Sequence, residues 1–306
     1  MKCSKKILLS GLVALSFIPA IASAQSLAGY SNLTSFSVLS GSYVTTGAGS
    51  NVSGDMGALT YIATGANSSG ASSNYAGSYI TTGAGSTGSG SNFAGGYITP
   101  GLGSTVIGSN TAGLAPASFT NVNNALLELS AAQLALKSLT AGSTLAATMD
   151  GKQTMTAGVY NAPALTTAAG TVLTLDAAGQ TNPYWVFNID TYLSTGASTS
   201  VNIANLGLGG TASVIWNTGG YASFGESNSF VGSVFAGEYI STGATTTSGP
   251  LFAKEYVTLG ASGTINSMVV APIPEPEIYA LMLAGIGLLT LKVRREKKNQ
   301  LSKVAA

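Results

Sequence analysis

Four segments between Tyr43 and Ser104 share one frame. They read Tyr43-Val-Thr-Thr-Gly-Ala-Gly-Ser50, Tyr61-Ile-Ala-Thr-Gly-Ala-Asn-Ser68, Tyr79-Ile-Thr-Thr-Gly-Ala-Gly-Ser86 and Tyr97-Ile-Thr-Pro-Gly-Leu-Gly-Ser104, and their tyrosines step by 18 residues each time. A short fixed period without helical spacing predicts a β-solenoid, one repeat to each coil. Stacked coils put like residues into straight ladders on flat faces. An extended surface, rather than a pocket, is therefore the first place to look for function.

Side chains alternate between the two faces of a strand. Val44, Ile62, Ile80 and Ile98 are expected to point into the coil, and Thr45, Ala63, Thr81 and Thr99 to point out. Glycines 47, 65, 83 and 101 follow, where the chain must bend sharply and a positive φ is expected. The frame returns in Tyr192-Leu-Ser-Thr-Gly-Ala197, Tyr221-Ala-Ser-Phe-Gly225, Tyr239-Ile-Ser-Thr-Gly-Ala244 and Tyr256-Val-Thr-Leu-Gly-Ala261. Here the outward column is Ser194, Ser223, Ser241 and Thr258. The step from Tyr192 to Tyr221 is 29 residues, so a longer loop or an out-of-frame coil is expected there. The tyrosines are expected to cover the corners of the coil; stacking on sugars is the alternative.

One segment breaks the pattern. Ser118 to Leu139 carries Phe119, Val122, Leu126, Leu129 and Leu136 at helical spacing, with Ala125 and Ala132 nearby. Ser118 or Thr120 is the expected N-cap, and Lys137 sits in the last turn. The stripe is read as core packing, on a helix lying along the solenoid over one apolar face. At this length it would run ~33 Å, the height of about seven coils.

Both ends read as addresses. Lys2, Lys5 and Lys6 lead an apolar run from Ile7 to Ile21, and Ala22-Ser23-Ala24 forms a small-x-small cleavage site. Cys3 would leave with this signal peptide, residues 1–24, so neither disulfides nor thiol chemistry are expected. At the other end Pro274, Glu275, Pro276 and Glu277 precede an apolar run, and Lys292, Arg294, Arg295, Lys297 and Lys298 follow it. The run 278–293 holds 16 residues. It would span about 24 Å as a helix, short for a bilayer core of ~30 Å. The basic cluster fits a cytoplasmic stop.

Between the signals, eight carboxylates face three lysines, Lys137, Lys152 and Lys254, for a formal net charge of −5. The +1 of the whole chain comes from its ends. A mildly acidic body without arginine cannot neutralise a row of phosphates, which excludes nucleic acid as a partner. Glycine makes up 40 of 306 residues. That is about twice the usual ~7%. Disorder does not follow from it, because a disordered chain is charged and poor in aromatic residues, and this one is neither.

The order of repeats, one long helix and further strands in the same frame resembles the microbial ice-binding protein family with a discontinuous right-handed β-helix. The resemblance is carried by Phe36-Ser-Val-Leu-Ser-Gly41, Val52-Ser-Gly-Asp55, Thr156-Ala-Gly-Val-Tyr160, Leu173-Thr-Leu-Asp176, Trp185-Val-Phe-Asn-Ile189 and Phe230-Val-Gly-Ser-Val-Phe-Ala236, and by the closing coil, Tyr256 to Ile265. It implies a mainly β fold, a triangular solenoid of about 18-residue coils with the helix packed on one face and ice bound by the opposite flat face. Many family members carry an irregular cap between the first coils and the helix, where this chain reads as regular coils from Tyr61 to Ser104. The C-terminal segment resembles a PEP-CTERM sorting signal, which implies recognition by an exosortase and a surface or matrix destination, with only transient membrane anchoring. The tail from Asn299 to Ala306 departs from that pattern. Residues 25–270 are thus expected to form one ice-binding-like domain, and 271–306 the sorting signal.

The chemistry agrees with an ice surface. Charges hold their own hydration shells and obstruct a fit to a lattice of neutral water. A stiff array of small hydroxyl and methyl groups can hold water in register. The candidate ice-binding face is Thr45, Ala63, Thr81, Thr99, Ser194, Ser223, Ser241 and Thr258. Ser and Thr ladders occur on any solenoid, so the family resemblance carries this choice.

Catalysis is not expected, nor is a cofactor or metal. The chain has no histidine, and the body has neither cysteine nor arginine, which excludes nucleophile–base pairs built on His or Cys. Glu226, Glu238 and Glu255 are the nearest approach to a carboxylate ladder, read as a solvated edge rather than a metal site. Two alternatives remain: a non-catalytic surface or exopolysaccharide-matrix protein and, more remotely, a β-helix polysaccharide-active enzyme. The expected partners are the ice surface, signal peptidase and exosortase during export, and exopolysaccharide.

Overall fold

The computed structural model describes residues 29–70, 72–115 and 119–266. The signal peptide and sorting signal expected at the ends lie outside these residues. Among the described residues, no helix is long and apolar enough to cross a membrane.

Three parallel sheets, one of 11 strands and two of 10, form the three faces of a β-helix. The first coil runs Phe36–Ser40 on the first face, Val44–Thr46 on the second and Asn51–Val52 on the third. Coils of the 18-residue repeat then build in one direction, through Tyr61–Ala63 and Tyr79–Thr81 to Tyr97–Thr99 on the second face and to Asn110–Thr111 on the first. The helix Thr120–Lys137 returns the chain to the far end. A second series starts at Ser143–Thr144 and builds back to Leu251–Ala253, Val257–Leu259 and Thr264–Asn266. This last coil pairs in parallel with the first: Val38 faces Leu251, Val44 faces Val257 and Val52 faces Ile265. The chain is thus broken in sequence order and continuous in space.

The interior follows the alternation. Val44, Ile62, Ile80, Ile240 and Val257 are fully buried in one inward column. In the lower coils Trp185, Phe187, Trp216 and Phe230 fill a wider interior, with Phe187 stacked on Trp216 at 4.0 Å. The repeat coils are leaner. Inward positions there hold Ala58, Ala76 and Ala94, with Asn74, Asn92 and Asn110 joined amide to amide at 2.7 and 2.8 Å. The 29-residue step belongs to an in-frame coil whose extra residues, 205–212, form a loop between its third-face strand and the next first-face strand.

Glycines 47, 65, 83 and 101 have a different task from the one expected. Their φ values are not positive; the left-handed residues are Gly49, Asn67, Gly85 and Gly103, two places on. At Gly65 and Gly83 a Cβ would stand 2.4 and 2.3 Å from the backbone of the coil beneath. They are glycine because successive corners touch.

The helix lies on the first face. Val122, Ala125, Leu129, Ala132 and Leu136 cover a column of Leu39, Phe252, Phe235, Ile215, Val186 and Val159. Its 18 residues give ~27 Å, enough for about six coils. It starts at Thr120 behind Phe119, with no side-chain cap, so Thr120 is not the N-cap; Ser118 lies outside the described residues. The carboxylate of Glu128 instead accepts from Asn32 Nδ2 at 2.6 Å and Leu33 N at 2.8 Å, which ties the N-terminal turn to the helix. At the other end the sheet adds donors to helix carbonyls: Asn188 Nδ2 donates to Leu136 O at 2.8 Å, which also accepts from Leu139 N, and Asn217 Nδ2 donates to Gln133 O at 3.2 Å.

Candidate functional site

With the first face under the helix, two flat faces remain. On the second, all eight candidate residues fall in one column. Thr99 pairs with Thr81, Thr81 with Ala63, Ala63 with Thr45, Thr45 with Thr258, Thr258 with Ser241, Ser241 with Ser223 and Ser223 with Ser194. The two sequence blocks meet at Thr45 and Thr258. The column continues through Thr166 to Thr148, which the sequence reading missed. In those two coils Ala164 and Ala146 stand where the frame has tyrosine, so the repeat signature does not flag them. Ten strands at ~4.8 Å make a row about 43 Å long.

A second column runs beside it. Tyr97, Tyr79, Tyr61, Tyr43, Tyr256, Tyr239, Tyr221 and Tyr192 stack ring on ring, with centroids 4.8–5.2 Å apart and planes within 5° of parallel. The rings take the edge of the face, as expected of corner residues, and their flat sides are spent on one another. This rules out sugar stacking along the ladder interior; at its upper end Tyr97 is 55% exposed. In eight of the ten coils a tyrosine precedes the outward Thr, Ser or Ala by two residues, about 6.6 Å of extended chain, so the face carries a two-column grid over those coils.

The groups on this grid are held by the fold yet open to water. Among the described residues, the hydroxyls of Thr45, Thr81, Thr99, Ser194, Ser223, Ser241 and Thr258 have no hydrogen-bond partner within the protein. Thr166 is different: it donates to Ala147 O and to Thr148 Oγ1, each at 3.1 Å. The serines of the repeat, by contrast, turn inward. Ser50 and Ser104 donate to Gly47 O and Gly101 O at 2.8 and 2.7 Å and brace the corner.

The third face is less regular. Its upper strands, Asn51–Val52, Ser69–Gly70, Thr87–Gly88 and Thr105–Val106, are two residues long. Its outward column ends in Val172 and Lys152, where the second face stays neutral.

The three glutamates do not form one ladder. Glu255 N donates to Glu238 O at 2.9 Å, which stacks those two residues at the corner of the first and second faces. Glu226 lies between Ala222–Phe224 and Ser229–Val231, at the opposite corner. Among the described residues no group of three or more acidic, histidine or cysteine side chains could hold a metal. Burial raises the Asp55 carboxyl, opposed by the N–H of Ser73 at 2.9 Å, and this group sits on the first face, away from the grid.

Comparison with the curated proteins finds no match. Solved structures do match. An ice-binding protein from the Antarctic ascomycete Antarctomyces psychrotrophicus is 26% identical, with a TM-score of 0.56 over 78% of this chain and 97% of that one. The ice-binding protein domain of Shewanella frigidimarina is 24% identical, with a TM-score of 0.56 over 78% and 96%. The antifreeze protein of an Arctic yeast has the same fold at 17% identity, with a TM-score of 0.57 over 82% and 97%. The Ice-binding-like family profile matches residues 38–265, three quarters of the sequence and nearly all of the solenoid, and the chain therefore belongs to that family.

Proposed function

We propose that this protein binds ice through its second face and does no catalysis. The observation that carries the reading is the unbroken column from Thr99 to Thr148, built from both arms of a broken chain into one neutral row. Family membership supports it. Each contact to an ice lattice is weak. A face whose strands are hydrogen-bonded to neighbours loses little freedom on binding, so small gains can add along the row.

The deciding experiment is ice recrystallisation inhibition by the purified protein, wild type against Thr81→Tyr. Wild type arrests crystal coarsening at low concentration and the variant does not. Equal arrest by both would move the site off this face. Absence of arrest, with retention of polysaccharide, would favour the matrix role instead.

Export completes the proposal. Residues 1–24 act as a signal peptide, and residues 271–306, with Pro274 to Glu277 and Arg294 and Arg295, as a sorting signal cut by an exosortase, leaving the solenoid at the cell surface or in its matrix. Mass measurement of the protein recovered from outside the cell tests this. A chain that keeps residues beyond Arg295 would contradict it.

A further inference from the structure

We propose that the cleft between the C-terminal half of the helix and the corner of the first and second faces binds an acidic saccharide. The cleft has a volume of ≈ 400 Å³, within the range of small-ligand sites. Its lining includes Gln133, Leu134, Lys137, Asp190, Asn217 and Lys254. Two of the three lysines of a body that is otherwise poor in cations thus meet here.

Each group asks for a matching part of the ligand. Lys137 is paired with Asp190 at 3.3 Å, but the Lys254 ammonium has no partner among the described residues. Glu238 and Glu255, on the same corner, do not line the cleft; they sit close enough to Tyr221 and Tyr256 to help raise those phenols. Lys254 is therefore free for an anionic group. Gln133 and Asn217 give their amide hydrogens to Thr218 O, Gln133 O and Asn188 Oδ1. Their own amide oxygens are left without a donor among the described residues, and neither is sealed from solvent. Those oxygens and Asp190 need hydrogen-bond donors, which hydroxyls supply. An inorganic phosphate dianion has a single hydroxyl to give to three acceptors and would meet the Asp190 charge. Leu134, 73% exposed, offers the C–H face of a sugar ring an apolar wall. A carboxylate and several hydroxyls on one ring describe a sugar acid.

The test is a titration of the isotopically labelled full chain with trigalacturonate, followed by NMR. The expected result is saturable shifts confined to residues around Lys254, Asn217 and Leu134. Methyl-esterified trigalacturonate should bind at least about tenfold more weakly, as should Lys254→Gln, since each removes one hydrogen bond between charged groups. Lys254 is exposed, so the variant keeps the fold. No saturable shift, equal binding of the esterified trimer or of inorganic phosphate, or unchanged affinity in Lys254→Gln would each overturn the proposal. It is independent of the ice reading: trigalacturonate should leave recrystallisation inhibition unchanged, because the cleft lies off the second face.

Discussion

Tyr43 and Tyr256 stack with ring centroids 4.9 Å apart and planes 2° from parallel, although one belongs to the first coil of the chain and the other to the last. On the same two strands Thr45 faces Thr258. The seam between the two arms is thus as regular as any step within an arm, and the grid crosses it without a break.

That continuity gives the first prediction. Thr45→Tyr and Thr258→Tyr put bulk at the centre of the row and should each abolish recrystallisation inhibition. Thr87→Tyr, outward on the third face, should leave it intact. Loss in the third variant, with the first two active, would exchange the roles of the faces.

Two glycines should respond in opposite directions. Gly83→Ala drives a Cβ to 2.3 Å from the Gly65 carbonyl carbon, and overpacking of this kind costs about 1–3 kcal/mol. At Gly70 a Cβ meets nothing within 4 Å and φ is not positive, so Gly70→Ala should raise stability by about 0.4–1 kcal/mol through the unfolded chain. Thermal unfolding of the two variants measures both.

Helix docking rests on side chains of the sheet and on Glu128. Asn217→Ala leaves Gln133 O and Asn188 Oδ1 without that donor, at a cost of about 1–3 kcal/mol. Glu128→Ala frees Asn32 and Leu33 from the helix. Both should speed amide exchange in the helix ahead of the coils, and uniform exchange would contradict this.

The tyrosine ladder makes the fold sensitive to alkali. Burial, then the neighbouring Tyr43 and Tyr79, raises the Tyr61 phenol above 10.0; Tyr221 and Tyr256 are raised in the same direction. A phenol with a raised folded pKa contributes stability that is complete below its ordinary value and is lost as pH climbs through the folded one. Stability should therefore fall above pH 10.0 and fall less steeply in Tyr61→Phe. Equal pH profiles would show that the stacked rings do not titrate as neighbours.

The sequence by itself determined the coil. Tyr-Ile-Thr with glycine two places on is a local statement about which side chain faces inward, and strand alternation makes it readable from Val44 to Val257. The same alternation brought all eight outward candidates to one face. What the tertiary structure decided was order and continuity. Nothing local in Tyr43 or Tyr256 says that they touch, because the pairing of first and last coils is a contact between sequence-distant edges. Thr148 and Thr166 joined the row only through the register of neighbouring strands, since alanine had replaced the tyrosine that marks the frame. The glycine corners and the divided glutamates follow the same rule: a repeat fixes what each coil presents, but only stacking fixes what each presented group meets.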